Sequence, residues 1–411
     1  MKGIRMSHAR NQGVAFSVAV SALGYFVDLY DIVIFGVVRV VSLNDLGITG
    51  AANTSWGIDL LNLQMIGMLI GGVLWGVLGD KLGRRTALLA TIGMYSLANI
   101  ANGFVVTVEQ YAVLRFIAGI GLAGELGMGV TLVAELMPAK YRGYGTTVIS
   151  FLGLLGALTA SYVGVLLEWR VAYIVGGVMG LLVMAARWYG LRESDMFTAG
   201  RAQARHQGDL RVLVRSAPTF LKFVAVIAVG VPIWYISALF VNLAPEYGKA
   251  LALTEPLTVA QALRWQAIGL AIGSALTGLL SEWIGSRKRV LYGCFGALFA
   301  LVLVLLNLEG QTPGIYCAVL FAVGLGQGYW TVFITTAAEQ FGTNIRGTVT
   351  TSVPNFVRAM IVPITLGLKA IWDTTGLVGG TLLIGAAVFA LAFIALFHLK
   401  ETYGRNLDYT E

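Results

Sequence analysis

Runs of about twenty apolar residues recur along this chain, at about 14–38, 58–79, 86–106, 109–137, 144–167, 170–190, 218–243, 259–282, 290–308, 313–337, 348–372 and 377–398. A hydrocarbon core about 30 Å thick is crossed by roughly 20 residues of helix. In lipid every backbone group must be satisfied internally, so each run reads as a transmembrane helix. With 57% hydrophobic and 12% charged residues, the chain has too little polar surface for a water-soluble globule, and its mean hydropathy of +0.79 agrees. The reading is an all-α polytopic membrane protein of twelve transmembrane helices. Its 52 glycines suit close helix packing. Lys2, Arg5 and Arg10 precede the first run, but no small-residue cleavage site follows and the run continues into Asp28 and Asp31. It reads as a retained first helix.

Lys and Arg placement sets the expected orientation. With a cytoplasmic N-terminus the inner segments hold Lys81, Arg84, Arg85, Lys140, Arg142, Arg187, Arg192, Arg287, Lys288, Arg289, Arg346 and Lys400, while the outer side keeps Arg39, Arg170, Lys249, Arg264 and Lys369. Both termini are therefore expected in the cytoplasm, in a cell inner membrane. The same bias accounts for the sequence pI near 9.4 through anionic lipid, without nucleic acid. Cys294 and Cys317 form neither a CxxC nor a metal spacing and read as packing residues.

The chain repeats itself. Gly76-Val-Leu-Gly-Asp-Lys-Leu-Gly-Arg-Arg85 after the second run matches Gly278-Leu-Leu-Ser-Glu-Trp-Ile-Gly-Ser-Arg287 after the eighth. Glu135 and Arg142 match Glu339 and Arg346, and Leu191-Arg-Glu-Ser194 matches Leu399-Lys-Glu-Thr402, at offsets of about 202, 204 and 208 residues. Two pseudo-symmetric bundles of six helices follow, residues 1–190 and 218–411, joined by a polar cytoplasmic linker over 191–217. Parallel halves of this kind are expected to hold a substrate site near mid-membrane and to work by alternating access.

The Gly-x-x-x-Asp-x-x-Gly-Arg-Arg loop ending at Arg85 resembles the signature of the major facilitator superfamily. Arg115-Phe-Ile-Ala-Gly-Ile-Gly-Leu-Ala-Gly-Glu125 resembles its fourth-helix motif, and Glu135-Leu-Met-Pro-Ala-Lys-Tyr-Arg142-Gly143 resembles the exit of that helix in sugar, organic-acid and organic-ion porters. The first helix is close to the Asp-Gly-x-Asp pattern of aromatic-acid/proton symporters, with Leu29 in place of glycine. The resemblance implies that a first-helix Asp and the fourth-helix Arg form a proton-coupling pair. It also implies that Asp80, Arg84, Arg85, Glu135, Arg142 and Glu193, with Glu282, Arg287, Glu339, Arg346 and Glu401 in the second half, form a cytoplasmic gate of salt bridges that holds the outward-open state.

Asp28 and Asp31 stand about 21 and 25 Å along the first helix, on neighbouring positions of one face. Two carboxylates so close in low dielectric do not both ionise unless a cation is near, and Arg115 reaches the same layer from the fourth helix. Asp31 with Asp28 is expected to exchange the proton while Arg115 pairs with it and releases it. Glu125, mid-helix in a Gly-rich stretch, is a second protonatable candidate. In the second half, Arg358 lies mid-helix near Asn355, between Pro354 and Pro363, which are expected to bend that helix. A cation there must face water, a carboxylate or a substrate anion, so the solute is expected to be anionic or zwitterionic. Tyr25, Trp234, Tyr235, Gln327, Tyr329 and Trp330 are candidate substrate-binding residues, and Gln64, Asn242 and Gln266 also lie on likely cavity helices.

These features describe a proton-coupled secondary transporter, a symporter of a small polar organic solute, working as a monomer in the bilayer on the proton gradient with no cofactor and no metal. A proton-driven exporter of drugs, siderophores or metabolites shares the fold, but the fifth run reads Gly153-Leu-Leu-Gly156 without the proline of a drug-antiporter motif. A solute sensor on the same scaffold is a third reading. An enzyme is not expected: the chain has no HExxH, no Gly-x-Ser-x-Gly elbow, no Walker pattern and no Cys/His cluster.

Overall fold

The computed structural model describes residues 2–125, 127–129, 132, 142–190 and 216–404, with side chains excepted at 2–15, 80, 142–147, 150, 343–348, 350 and 351. Two compact units divide the chain, Met1–Gly208 and Asp209–Glu411. The expected joint at 191–217 lies outside the described residues except for Ser216 and Ala217. The first unit contains α1 (Lys2–Asp45), α2 (Gly50–Leu82), α3 (Arg84–Asn102), α4 (Val108–Leu122), α5 (Arg142–Leu166) and α6 (Trp169–Gly190). The second contains α7 (Ala217–Ile236), α8 (Ala244–Ala250), α9 (Val259–Ile284), α10 (Arg287–Leu306), α11 (Pro313–Gln327), α12 (Trp330–Glu339), α13 (Thr343–Ala359) and α14 (Ile361–His398). Polar residues start these helices where an N-cap is needed. Thr107 accepts from Gln110, Ser216 from Thr219 and Ser286 from Arg289, and Thr258 and Gln261 form a capping box.

Eight helical stretches among the described residues are long and apolar enough to cross a membrane. The longest, Ser352–His398, holds two passes separated at Gly376 (φ 69°), and α1, α3 and α5 bring the total to twelve. The surfaces agree: Trp283 is 84% exposed, Leu166 77% and Phe397 73%, an apolar exterior that water would not tolerate but lipid solvates. The helix of the eleventh pass is interrupted at Met360, between α13 and α14, while Pro354 lies inside α13. Pro363 has no N–H to give Ala359, and its ring crowds that carbonyl.

Within each unit the repeat is written in backbone contacts. Where α2 crosses α4, a Cβ on Gly67 or Gly71 would lie 2.3 Å from the carbonyl oxygen of Phe116 or Ile120, and one on Gly119 would lie 2.2 Å from that of Gln64. Where α9 crosses α11, Gly269 and Gly273 stand 2.1 Å from the carbonyls of Phe321 and Leu325 by the same measure, and Gly324 2.3 Å from that of Gln266. Only glycine permits such an approach, and the reward is van der Waals contact between main chains. The polar supports repeat as well. Trp75 donates to Ile120 O at 2.7 Å and Thr277 to Gly328 O at 2.8 Å; Tyr30 donates to Ala172 O and Tyr235 to Thr381 O, both at 2.8 Å. The duplicated loops turn on Gly83 (φ 101°) and Gly285 (φ 67°), positive angles that favour glycine.

Candidate functional site

In the first unit α1 carries Asp28 and Asp31, both with no exposed surface. The Asp31 carboxylate interacts with Arg115 of α4, with Asp28 and with Asn99 of α3. Gly176 of α6 leaves room for it, since a Cβ there would lie 2.7 Å from Asp31 Oδ1. Arg115 is fully buried as well, donates through Nη2 to Asn99 Oδ1, and lies 4.7 Å above the Tyr173 ring. Tyr173 and Tyr111 share a hydroxyl hydrogen bond of 2.5 Å that backs this wall. Neither Asp31 oxygen has a hydrogen-bond partner among the described residues, nor do Arg115 Nε and Nη1 or Asn99 Nδ2. The expected meeting of Asp28, Asp31 and Arg115 in one layer is present. In this conformation, however, the guanidinium is hydrogen-bonded to Asn99 and not to Asp31. Asn99 was not singled out from the sequence; an amide in the apolar third run was the signal.

Glu125 lies in a second buried cluster. Arg187 of α6 grips it with both nitrogens, Nη1 to Oε1 at 2.8 Å and Nη2 to Oε2 at 2.7 Å, with 0% and 1% of the two side chains exposed. Thr91 of α3 adds a hydrogen bond to Oε1 at 3.0 Å. Gly24 of α1 closes the cluster, since a Cβ there would overlap Arg187 Nη2 at 1.7 Å. Arg187 was expected among the cations at the inner surface and is instead a buried partner. Lysine and arginine counts report which end of a helix a charge occupies, not which face. Arg39, expected on the outer side, is likewise only 2% exposed, its side chain against Gly57.

In the second unit Arg358 of α13 is 2% exposed and lies 5.4 Å above the ring of Trp234 on α7, a cation–π contact. No carboxylate pairs with Arg358 among the described salt bridges. Asn355, one turn away, is buried. After Trp234 the helix widens into a π turn over Ser237–Val241, a local irregularity often found at sites. Gln266 donates to Ser237 at 2.9 Å and to Gln327 at 2.7 Å, and Gln327 donates to Ile233 O at 2.9 Å.

Two expected ligands are packed away from any surface in this conformation. Tyr235 is fully buried among Phe240 and Phe389 with its hydroxyl on Thr381 O, and Tyr329 is fully buried against Phe295 with its hydroxyl on Val229 O at 3.0 Å. Their hydroxyl protons are already committed to backbone carbonyls, and neither side chain has exposed surface in this conformation. Trp330 stacks at an angle on Phe333. Tyr25 fits against Gly153 of α5, beside Ala22 and Ile149.

Of the expected gate residues, Glu135 and Glu193 lie outside the described residues, as do the side chains of Asp80, Arg142 and Arg346. Arg85 donates to Trp188 O at 2.7 Å, and Arg84 is half-buried nearby. The second unit shows a connected set at one end: Arg287 meets Glu282 at 2.8 Å and Glu339 at 3.7 Å, and Thr402 donates to Glu339 at 2.6 Å. Glu401 does something different. It accepts the backbone amides of Arg287 and Lys288 at 3.1 Å each, so its charge sits on the N-terminus of α10. Burial opposes that charge, but the Ser286 hydroxyl and the amides of Tyr403, Lys288 and Arg287 outweigh it and lower the carboxyl from 4.5 to about 2. A depressed value stabilises the fold above the ordinary glutamate range, and the benefit is lost as pH falls from about 4.5 through about 2. Melting curves of the protein and of Glu401→Gln should therefore differ at neutral pH and converge on acidification through that window.

A sequence profile described as the Major Facilitator Superfamily matches residues 21–361. The chain belongs to the major facilitator superfamily. As a member it is a multi-pass membrane transporter and not an enzyme. It is 27% identical to a putative metabolite transport protein of Haemophilus influenzae over 94% of this chain and 96% of that one. It is 25% identical to the cis,cis-muconate transport protein of Acinetobacter baylyi over 83% and 84%. Among solved structures, the inward-open xylose transporter XylE from E. coli superposes with a TM-score of 0.72 at 18% identity, covering 96% of this chain and 98% of that one. That likeness shows a shared fold, the twelve-helix fold.

Proposed function

We propose that this superfamily member is a proton-coupled symporter, in a cell inner membrane with both termini cytoplasmic, that takes up a small conjugated organic carboxylate by alternating access. The observation that carries the proton half of this reading is Asp31, fully buried with no hydrogen-bond partner among the described residues, beside Asn99 and an Arg115 that is held on Asn99. A carboxyl in such a place is tolerated when protonated, and attracts the guanidinium when it is not. Proton loss thereby moves Arg115 from Asn99 to Asp31. The solute half is supported by Arg358 and Trp234. A buried guanidinium with no acid partner among the described residues suits a carboxylate, and the indole beneath it offers a flat face to a conjugated solute. The muconate carrier among the relatives is named for a solute of this kind.

The test is purified protein in liposomes with an imposed inward proton gradient, offered labelled muconate, benzoate, nicotinate and xylose. A carboxylate is expected to enter together with internal acidification. Arg358→Gln should raise its KM by about 10- to 100-fold, the value of a hydrogen bond to a charged group. Entry of xylose alone, solute efflux driven by the gradient, or an unchanged KM in the variant would each contradict the proposal.

A further inference from the structure

The indole under Arg358 carries a donor assigned no part so far. Trp234 Nε1 is buried with no hydrogen-bond partner among the described residues, and so is Arg358 Nε. The two groups cannot satisfy each other, because a guanidinium and an indole N–H both donate and neither accepts. Buried donors ordinarily find an acceptor. The backbone on both sides of the indole is held by side-chain amides. Gln327 of α11 donates to Ile233 O at 2.9 Å, immediately before Trp234, and Gln266 of α9 donates to Ser237 at 2.9 Å, where the π turn begins.

The spacing limits how the ring meets a solute. The guanidinium carbon stands 5.4 Å from the ring centroid. A flat solute between them would need a stacking distance of about 3.5 Å on each side, roughly 7 Å in all. The face under Arg358 is therefore closed to a conjugated solute in this conformation, and stacking is left to the opposite face. The edge is a different matter. Nε1 belongs to the ring that Arg358 covers, so two hydrogen bonds of about 2.9 Å and the width of one carboxylate reach across.

We propose that the Trp234 indole N–H is a specificity-determining donor that shares one solute carboxylate with Arg358, which deepens the symport reading and rests on its solute half. One oxygen accepts from the Trp234 N–H and the other from the Arg358 guanidinium. A carboxylate brings acceptors only, and satisfies both buried donors at once. A carboxamide brings one acceptor and an NH2 group, which sets donor against donor. The clasp thus selects the acid over its own amide, a discrimination that charge on Arg358 and ring stacking do not give by shape.

Equilibrium binding to the purified full-length protein in detergent tests this without transport. The probes are benzoate, nicotinate and cis,cis-muconate, with benzamide and nicotinamide as uncharged counterparts. Benzothienylalanine in place of Trp234 keeps the bicyclic ring and exchanges only N–H for sulfur; Trp234→Phe removes the N–H with a smaller ring. In both, the carboxylate Kd should rise about tenfold or more, the value of a hydrogen bond to a charged group, while the amides bind no more weakly than before. In an Arg358→Gln background the loss should shrink, since the two donors no longer share one group. An unchanged carboxylate Kd in the benzothienylalanine protein, or equal losses with and without Arg358, would overturn the clasp. So would a loss that falls equally on acids and amides, which is what a purely structural role of the ring predicts. Absence of carboxylate binding in the unmodified protein would overturn the solute half of the symport reading and the clasp with it, whereas normal binding with an unaffected variant overturns the clasp alone.

Discussion

Arg187→Leu is expected to destabilise the protein by about 3–5 kcal/mol, because it leaves the Glu125 carboxylate in the interior without its cation. Glu125→Leu should cost a similar amount from the other side. The double replacement should recover most of the loss, since exchanging a buried pair for apolar groups of like volume is often neutral. The double-mutant cycle, read from thermal unfolding in detergent, checks all three values. If the two single losses simply add in the double variant, the 2.7 Å pair contributes nothing as a pair. The geometry argues otherwise. Both guanidinium contacts are made at once, Thr91 accompanies them, and Gly24 has given up its side chain to make room.

The second large effect is functional. Asp31→Asn should abolish accumulation of the solute against its gradient while exchange of labelled for unlabelled solute across the membrane continues. Coupling is a linkage between two binding events. An amide binds no proton in the physiological range, so the pH gradient loses its handle on the cycle, and the accumulation ratio should fall to about one. Exchange requires no net proton movement and survives if the variant still binds solute. Normal accumulation with an unchanged pH profile in Asp31→Asn would place coupling elsewhere.

Much of the fold was legible in the sequence because lipid imposes a simple rule. Twelve apolar runs became twelve passes, and Pro363 broke the eleventh where its missing N–H requires. The duplicated loops carried their turn glycines at the same places. The site was only partly legible. Asp28, Asp31 and Arg115 stood out because a charge in hydrocarbon is costly. Asn99 and Arg187 did not. The first is uncharged and passes for an ordinary helix residue, and Arg187 lies near a helix end where a surface role suffices. Tyr235 and Tyr329 misled for the opposite reason: aromatic residues on a candidate helix say nothing about which face they occupy, and theirs is turned to neighbouring carbonyls.

The glycine contacts of α2 with α4 and of α9 with α11 bear on how such a machine can flex. Main chains that touch directly leave no layer of side chains to slide or re-pack. Each crossing should therefore behave as a welded joint, and bending must concentrate where the rods are interrupted, at Met360, at Gly376 and in the π turn after Trp234. Hydrogen exchange should accordingly be slowest at the joints and fastest at the interruptions.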